Sequence, residues 1–114
     1  MLTTPGDLLL DSLSATQGNG TISFDACIVE MDVVVASDEL AFEYVFGSEE
    51  YLEFVNTPYN DIFAFFASGP GITGSPGLGN AKNIAILPGS NTPVQIESVN
   101  NVTNWQYYRN NGIY

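Results

Sequence analysis

Between positions 21 and 46 apolar and polar residues alternate. Cys27, Val29, Met31, Val33 and Val35 fall on one face of an extended chain, and Glu30 and Asp32 on the other, the two-residue period of a strand with one wet side. A polar turn, Ala36-Ser37-Asp38-Glu39, follows, after which Leu40, Phe42, Tyr44 and Phe46 alternate with Ala41, Glu43 and Val45. The pattern predicts strands at 27–35 and 40–46, paired as a hairpin.

The stretch 47–60 breaks the period. Its acidic Gly47-Ser48-Glu49-Glu50-Tyr51-Leu52-Glu53-Phe54 and the turn formers Asn56-Thr57-Pro58-Tyr59-Asn60 describe an excursion between strands, with room for one helical turn. Residues 61–68 are aromatic and nearly continuously apolar, which suits a strand covered on both faces at the centre of a sheet. Gly69-Pro70-Gly71 and Gly74-Ser75-Pro76-Gly77-Leu78-Gly79 make a loop that no regular element would tolerate. Two short strands, 83–87 and 92–99, flank the turn Pro88-Gly89-Ser90-Asn91, and the Asn- and Tyr-rich end from 100 to 114 fits strand or loop. At the other end, residues 1–20 show neither helical period nor alternation around Leu8-Leu9-Leu10. They are expected to be a loosely structured lead-in to a β-rich unit over 21–114.

Strands recurring every ten to fifteen residues without amphipathic helices indicate an all-β fold, an antiparallel jelly-roll-like sandwich. Its first and last strands lack edge-blocking charges, so completion by flanking sequence, by a companion strand or by self-association is expected. A chain of 114 residues, 45% apolar, has the volume for one domain and a real core.

Charge then narrows the chemistry. Two Lys and Arg stand against thirteen Asp and Glu, a formal net charge of −11 with no histidine. Nucleic acid and anionic membrane surfaces are therefore excluded as partners of a basic patch. Without histidine, Ser-His-Asp, Cys-His and zinc-type sites cannot be built, and carboxylate chemistry and hard cations remain. No apolar run approaches the ~20 residues of a spanning helix, so membrane insertion is not expected. The chain does not open on a basic and then apolar segment, so an export signal would lie outside it. The single Cys27 reads as a free, mostly buried apolar filler on the 27–35 face, or as half of a bridge to a cysteine elsewhere.

The run Phe42-Glu43-Tyr44-Val45-Phe46-Gly47-Ser48-Glu49-Glu50-Tyr51-Leu52-Glu53-Phe54-Val55, followed by Tyr59-Asn60-Asp61-Ile62-Phe63-Ala64-Phe65-Phe66, closely resembles the choice-of-anchor L domain. Ser68-Gly69-Pro70-Gly71-Ile72, Asn83-Ile84-Ala85-Ile86-Leu87-Pro88-Gly89 and Thr92-Pro93-Val94 extend the likeness, which runs from about Gly6 to the C-terminus and corresponds to the central part of that domain. The resemblance implies a β-rich module exported to the bacterial cell surface or beyond it. It further implies an adhesive or structural role without established catalysis.

Two candidate sites stand out. Glu49, Glu50, Glu53, Asn60 and Asp61, with Ser48, gather oxygen donors near the most apolar strands. Adjacent carboxylates repel unless a cation or a proton intervenes, and Ca²⁺ takes six to eight such oxygens. A calcium site and its alternative, Glu49 or Glu50 pinning a turn by accepting backbone N–H bonds with Asp61 capping a strand, are both open at this point. A glycosidase pair is disfavoured because no cleft is evident around the acids. The aromatics Tyr51, Tyr59, Trp105, Tyr107 and Tyr108 offer stacking faces for sugars. Those inside strands belong to the core; Trp105, Tyr107 and Tyr108, in a polar Asn-rich setting, are the ligand-binding candidates for a surface glycan or a protein receptor. The acceptor patterns Asn19-Gly20-Thr21 and Asn101-Val102-Thr103 are incidental in a chain of this resemblance, and the Gly-rich 69–79 loop lacks the Lys of a phosphate cradle.

Overall fold

A computed structural model describes residues 4–18, 20, 22–57 and 60–111. Its first element is a helix, α1, over Leu8–Thr16. Asp7 sits just before it in extended backbone and accepts the Leu9 and Leu10 N–H groups at 2.9 and 3.0 Å, satisfying two donors that the first turn leaves without intrahelical partners. Asp11 adds a negative charge to that first turn, where the helix dipole favours it. This corrects the expectation of a loosely structured lead-in. The apolar period is missing because the helix is short and buries only Leu13 and Ser14, while Leu8 stays 82% exposed.

The N-terminal segment is stitched to residues 23–25 by polar side chains. Asp11 accepts both the Ser23 backbone N–H and its hydroxyl at 2.6 Å, and Asp25 accepts the Thr4 N–H and hydroxyl at 2.7 Å. An isolated antiparallel bridge joins Pro5 to Phe24. Gly6 runs so close to the Ser23 carbonyl that a Cβ there would overlap it, which explains the glycine on packing grounds.

The sheet is antiparallel and small. Strand β1, Phe66–Ala67, pairs with β2, Lys82–Asn83, in the register Phe66 to Asn83 and Ala67 to Lys82, and the Ile84 N–H bonded to the Phe65 carbonyl at 2.9 Å continues the ladder. Past β2 the chain turns through 88–91 and returns. Leu87 N–H donates to Thr92 O at 2.9 Å, Val94 N–H to Ala85 O at 3.0 Å, and Ile86 bridges Pro93. The expected pairing of 83–87 with 92–94 is therefore present. Beyond Val94 the predicted strand gives way to a turn held by side chains. The Asn100 carbonyl oxygen accepts Val102 and Thr103 N–H groups while its amide donates to Ile96 O at 3.0 Å. Asn100 is 2% exposed, and such short-range Asn bonding substitutes for a ladder.

Rings extend this meander on its other side. Phe42 meets Phe65 at 4.9 Å, Tyr44 meets Phe63 at 5.6 Å and Phe65 at 5.0 Å, and Phe46 stacks on Phe63 at 5.0 Å. As one partner's number rises the other's falls or holds, so segment 42–46 runs antiparallel beside 63–65, joined to it by aromatic contacts. The core lies on the far side of the sheet. Leu13, Leu78 and Ala81 form its centre, with Ile62, Ala64 and Phe66 packed against them, and Ala85, Leu87, Ile96 and Val99 are buried further along. The 69–79 loop reaches into this core through Leu78, and Gly74 lies where a Cβ would overlap the Gly79 carbonyl.

Two expectations need correction. The chain is mostly non-helical with an antiparallel sheet, but the described residues form one two-stranded sheet with an adjoining bridge, rather than the two layers of a jelly-roll-like sandwich. Neither 27–35 nor 40–46 is a paired strand there. Their alternation defines two faces, yet a strand also needs a neighbour for its backbone and a layer over its apolar side. Among the described residues nothing supplies either to 27–35: Val29 is 79% and Met31 74% exposed. Cys27, expected to be buried on that face, is a free and exposed thiol for the same reason.

Candidate functional site

Of the five residues proposed as a donor pool, Glu50 and Asp61 lie together around Ser48. Ser48 organises the near part: its hydroxyl donates to Asp61 Oδ2 at 2.8 Å and accepts the Glu50 N–H at 3.1 Å. Burial pushes the Glu50 carboxyl above its ordinary pKa, the Asp61 charge pushes it further, and a hydrogen bond from the Asp61 backbone N–H opposes both. The Asp61 charge thus acts on a Glu50 carboxyl that burial already disfavours in its ionised form. Asn60 turns to Gln95, donating to its Oε1 at 3.1 Å, and Glu49 and Glu53 stand exposed. Glu50 Oε2 and Asn60 Oδ1 are buried without a hydrogen-bond partner. Among the described residues no three His, Cys, Asp or Glu side chains gather where they could hold a metal ion.

The same excursion builds something else with its tyrosine. Backbone bonds from Phe54 to Glu50 O at 3.1 Å and from Val55 to Leu52 O at 3.4 Å close 50–55 into turns, where the sequence left room for one helical turn. The Tyr51 hydroxyl reaches out of that turn and donates to Val99 O at 2.6 Å. Its ring lies 5.0 Å from that of Tyr108. Burial first, and then the neighbouring Tyr108, raise the Tyr51 phenol above its usual pKa, so it stays a neutral donor across the physiological range.

Tyr51, Tyr108 and Val99 help line a cleft of about 410 Å³ together with Ile86, Leu87, Pro88 and Val94, with Tyr44, Val45 and Phe46 of segment 44–46, and with Tyr107, Arg109 and Asn111 of the 107–111 end. Tyr107 is carried there by the short 3-10 turn Trp105–Tyr107. That turn starts from Asn104 in left-handed backbone, φ 50°, where Asn is better tolerated than most side chains, and the Asn104 amide fixes it by donating to Ser98 O at 2.8 Å. Arg109 folds back on the turn, its Nη1 donating to Tyr108 O at 3.0 Å.

The structure therefore divides the three aromatic candidates. Tyr107 and Tyr108 line the cleft, whereas Trp105, 68% exposed, is not among its lining residues. Tyr59 lies outside the described residues, as do Asn19 and Thr21 of the first acceptor pattern. Tyr44 and Arg109 were missed as site residues, and Tyr51, named as a stacking face, was not carried into the ligand-binding candidates. Tyr44 read as a strand residue, and the one available signal for Arg109 was a cation directly after paired tyrosines in an acidic chain.

The family model of the Choice-of-anchor L domain matches residues 2–113, essentially the whole chain and slightly wider than the resemblance read from Gly6. No curated protein and no solved structure matches. No helix among the described residues is long and apolar enough to cross a membrane.

Proposed function

Because the chain belongs to the Choice-of-anchor L domain family, whose members are associated with the bacterial cell surface, we propose that it is a non-enzymatic surface module acting by adhesion or assembly. The observation that carries this reading is the segment 27–35. It offers Ile28, Val29, Met31, Val33, Val34 and Val35 to solvent, each more than half exposed, without strand pairing among the described residues. A contiguous apolar surface of this kind marks an interaction site, and open backbone N–H and C=O groups favour a partner that adds as a strand.

The partner in this reading is a second copy or a companion strand. Asp25, Glu30, Asp32, Asp38, Glu39 and Glu43 lie in or beside the segment, so two copies would meet like charge with like. Salt screens that repulsion and leaves apolar burial intact. The proposal stands without calcium; what is left of the expected donor pool in one place is Glu50, Asp61 and the Ser48 hydroxyl.

Sedimentation velocity over a concentration series at low and high salt tests it. The wild-type chain is expected to associate, more strongly at high salt, and Val33→Asp to remain monomeric. A strict monomer under all conditions would remove the assembly reading. The other reading carried from the sequence, carbohydrate binding, draws on a different part of the molecule, the tyrosine cleft.

A further inference from the structure

We propose that the cleft between segment 44–46 and the 105–111 end binds a neutral oligosaccharide, with Tyr107 as the stacking face and Arg109 and Asn111 as polar contacts. The volume of about 410 Å³ falls in the ~300–1,000 Å³ range of small-molecule sites. A pyranose ring has an apolar C–H face and a rim of hydroxyls. The cleft offers the complement in its lining, aliphatic side chains and tyrosine rings beside the hydrogen-bonding groups of Arg109 and Asn111.

The division of labour among the tyrosines is visible. Tyr51 and Tyr108 are committed to each other, and the Tyr51 hydroxyl is committed to Val99 O, so they form a fixed part of the lining. Tyr107 is 48% exposed and lines the cleft from the 3-10 turn. That turn is held by the Asn100 and Asn104 side-chain bonds already formed in the free protein. A platform positioned before the ligand arrives does not have to be ordered on binding, which favours affinity.

Charge selects among sugars. Arg109 spends Nη1 on the Gln106 and Tyr108 carbonyls at 3.5 and 3.0 Å, and a guanidinium has five N–H donors, so the remainder are left for a ligand or solvent. One cation does not outweigh a net charge of −11; a uronic acid polymer approaching the module meets long-range repulsion. A cationic amino sugar would meet Arg109 itself. Neutral hydroxyls take hydrogen bonds from Arg109 without either penalty, so a neutral ligand is the one the cleft favours.

The test is saturation-transfer NMR on the intact chain with a neutral β-1,4-glucan trisaccharide, an N-acetylglucosamine trisaccharide, a mannan trisaccharide and a galacturonate trisaccharide at millimolar concentration. At least one neutral probe is expected to bind and the galacturonate to bind more weakly or not at all. Tyr107→Ala should weaken the positive probe about tenfold, the loss of one stacking contact, while Tyr107→Phe retains it. Arg109→Ala should weaken it, and Trp105→Ala should leave it unchanged. All three tested side chains are exposed, and an unchanged melting midpoint shows that each variant folds. Binding by none of the neutral probes, preference for the galacturonate, or full binding by Tyr107→Ala would overturn the assignment. Val33→Asp should bind sugar like the wild type, so failure of the assembly reading and failure of this one are separately visible.

Discussion

Segment 27–35 and segment 83–94 have the same kind of sequence, short apolar runs with strand-forming residues, and opposite fates. In the second, four residues of turn bring the arms together, backbone N–H groups find carbonyls at 2.9 and 3.0 Å, and Ala85 and Leu87 are buried. In the first, the apolar residues remain in solvent and Val34 is 99% exposed. Alternation is a statement about faces and not about partners. A hairpin closed by a tight turn carries its partner with it at little loop-closure cost, whereas an arm whose partner is remote or on another molecule carries only its half of the interface.

The contrast makes a direct stability comparison. Ile96 is fully buried, and Ile96→Ala is expected to cost about 2–5 kcal/mol through lost burial and the cavity left behind. Val34→Ala, in the monomer, should stay within about 0.5 kcal/mol of wild type. Urea unfolding of both at low protein concentration measures the gap. If Val34→Ala costs as much as Ile96→Ala, the arm is packed in solution and the two regions are alike.

A second comparison concerns what replaces the ladder after Val94. The side chain of Asn100 serves two N–H donors and two carbonyls, Ile96 O and Glu97 O. Asn100→Ala removes all four bonds, including the buried one to Ile96 O, at a cost of about 1–3 kcal/mol. It should also loosen the turn that carries Tyr107, so sugar binding falls with it. Asn101→Ala, at the exposed neighbour, should do neither, and equal midpoints for the two variants in thermal unfolding would break the comparison.

Legibility in the sequence followed the range of the interactions. The turn at 88–91 between two extended arms, the glycine-rich loop and the irregular excursion at 47–60 were readable because turn residues act locally. Helix α1 was not, since only one of its sides touches anything: Leu13 meets Leu78 and Ala81 while Leu8 points to water, and the one local sign was Asp7 as a cap. The donor pool read as a unit because Glu49, Glu50 and Glu53 are neighbours in sequence, whereas the neighbourhood of Glu50 with Asp61 is made by the fold. The same holds for the cleft. Tyr107 and Tyr108 were readable as a polar-context pair, whereas Tyr44, Tyr51 and Val94 join them only through the tertiary path, which no spacing announces. Family membership was legible throughout because it rests on the run of residues itself.

The smallest expected effect separates two kinds of carboxylate by their response to acid. Asp11 and Asp25 have pKa values lowered by the Ser23 and Thr4 side-chain hydrogen bonds first and by the backbone N–H bonds of the same residues second. A lowered folded pKa means stability that is present above the unfolded value and is lost as pH falls through the folded one, so the N-terminal stitching weakens in acid. Glu50 has the opposite sign. Its pKa is raised by burial and by Asp61, so the folded state holds the proton more tightly than the unfolded chain. Its contribution is fully present below the unfolded pKa and is lost as pH rises through the folded one. Lowering the pH through the carboxylate range should therefore loosen 4–11 from 23–25 while relieving the Glu50–Asp61 repulsion. Glu50→Gln is expected to raise the melting midpoint at neutral pH and to lose that advantage in acid. Asp11→Asn should lower the midpoint at neutral pH and converge on wild type in acid. Thermal unfolding of the three chains from neutral pH to below the carboxylate range measures both slopes; parallel curves for Glu50→Gln and Asp11→Asn would mean that the two regions do not differ in the way their hydrogen bonds require.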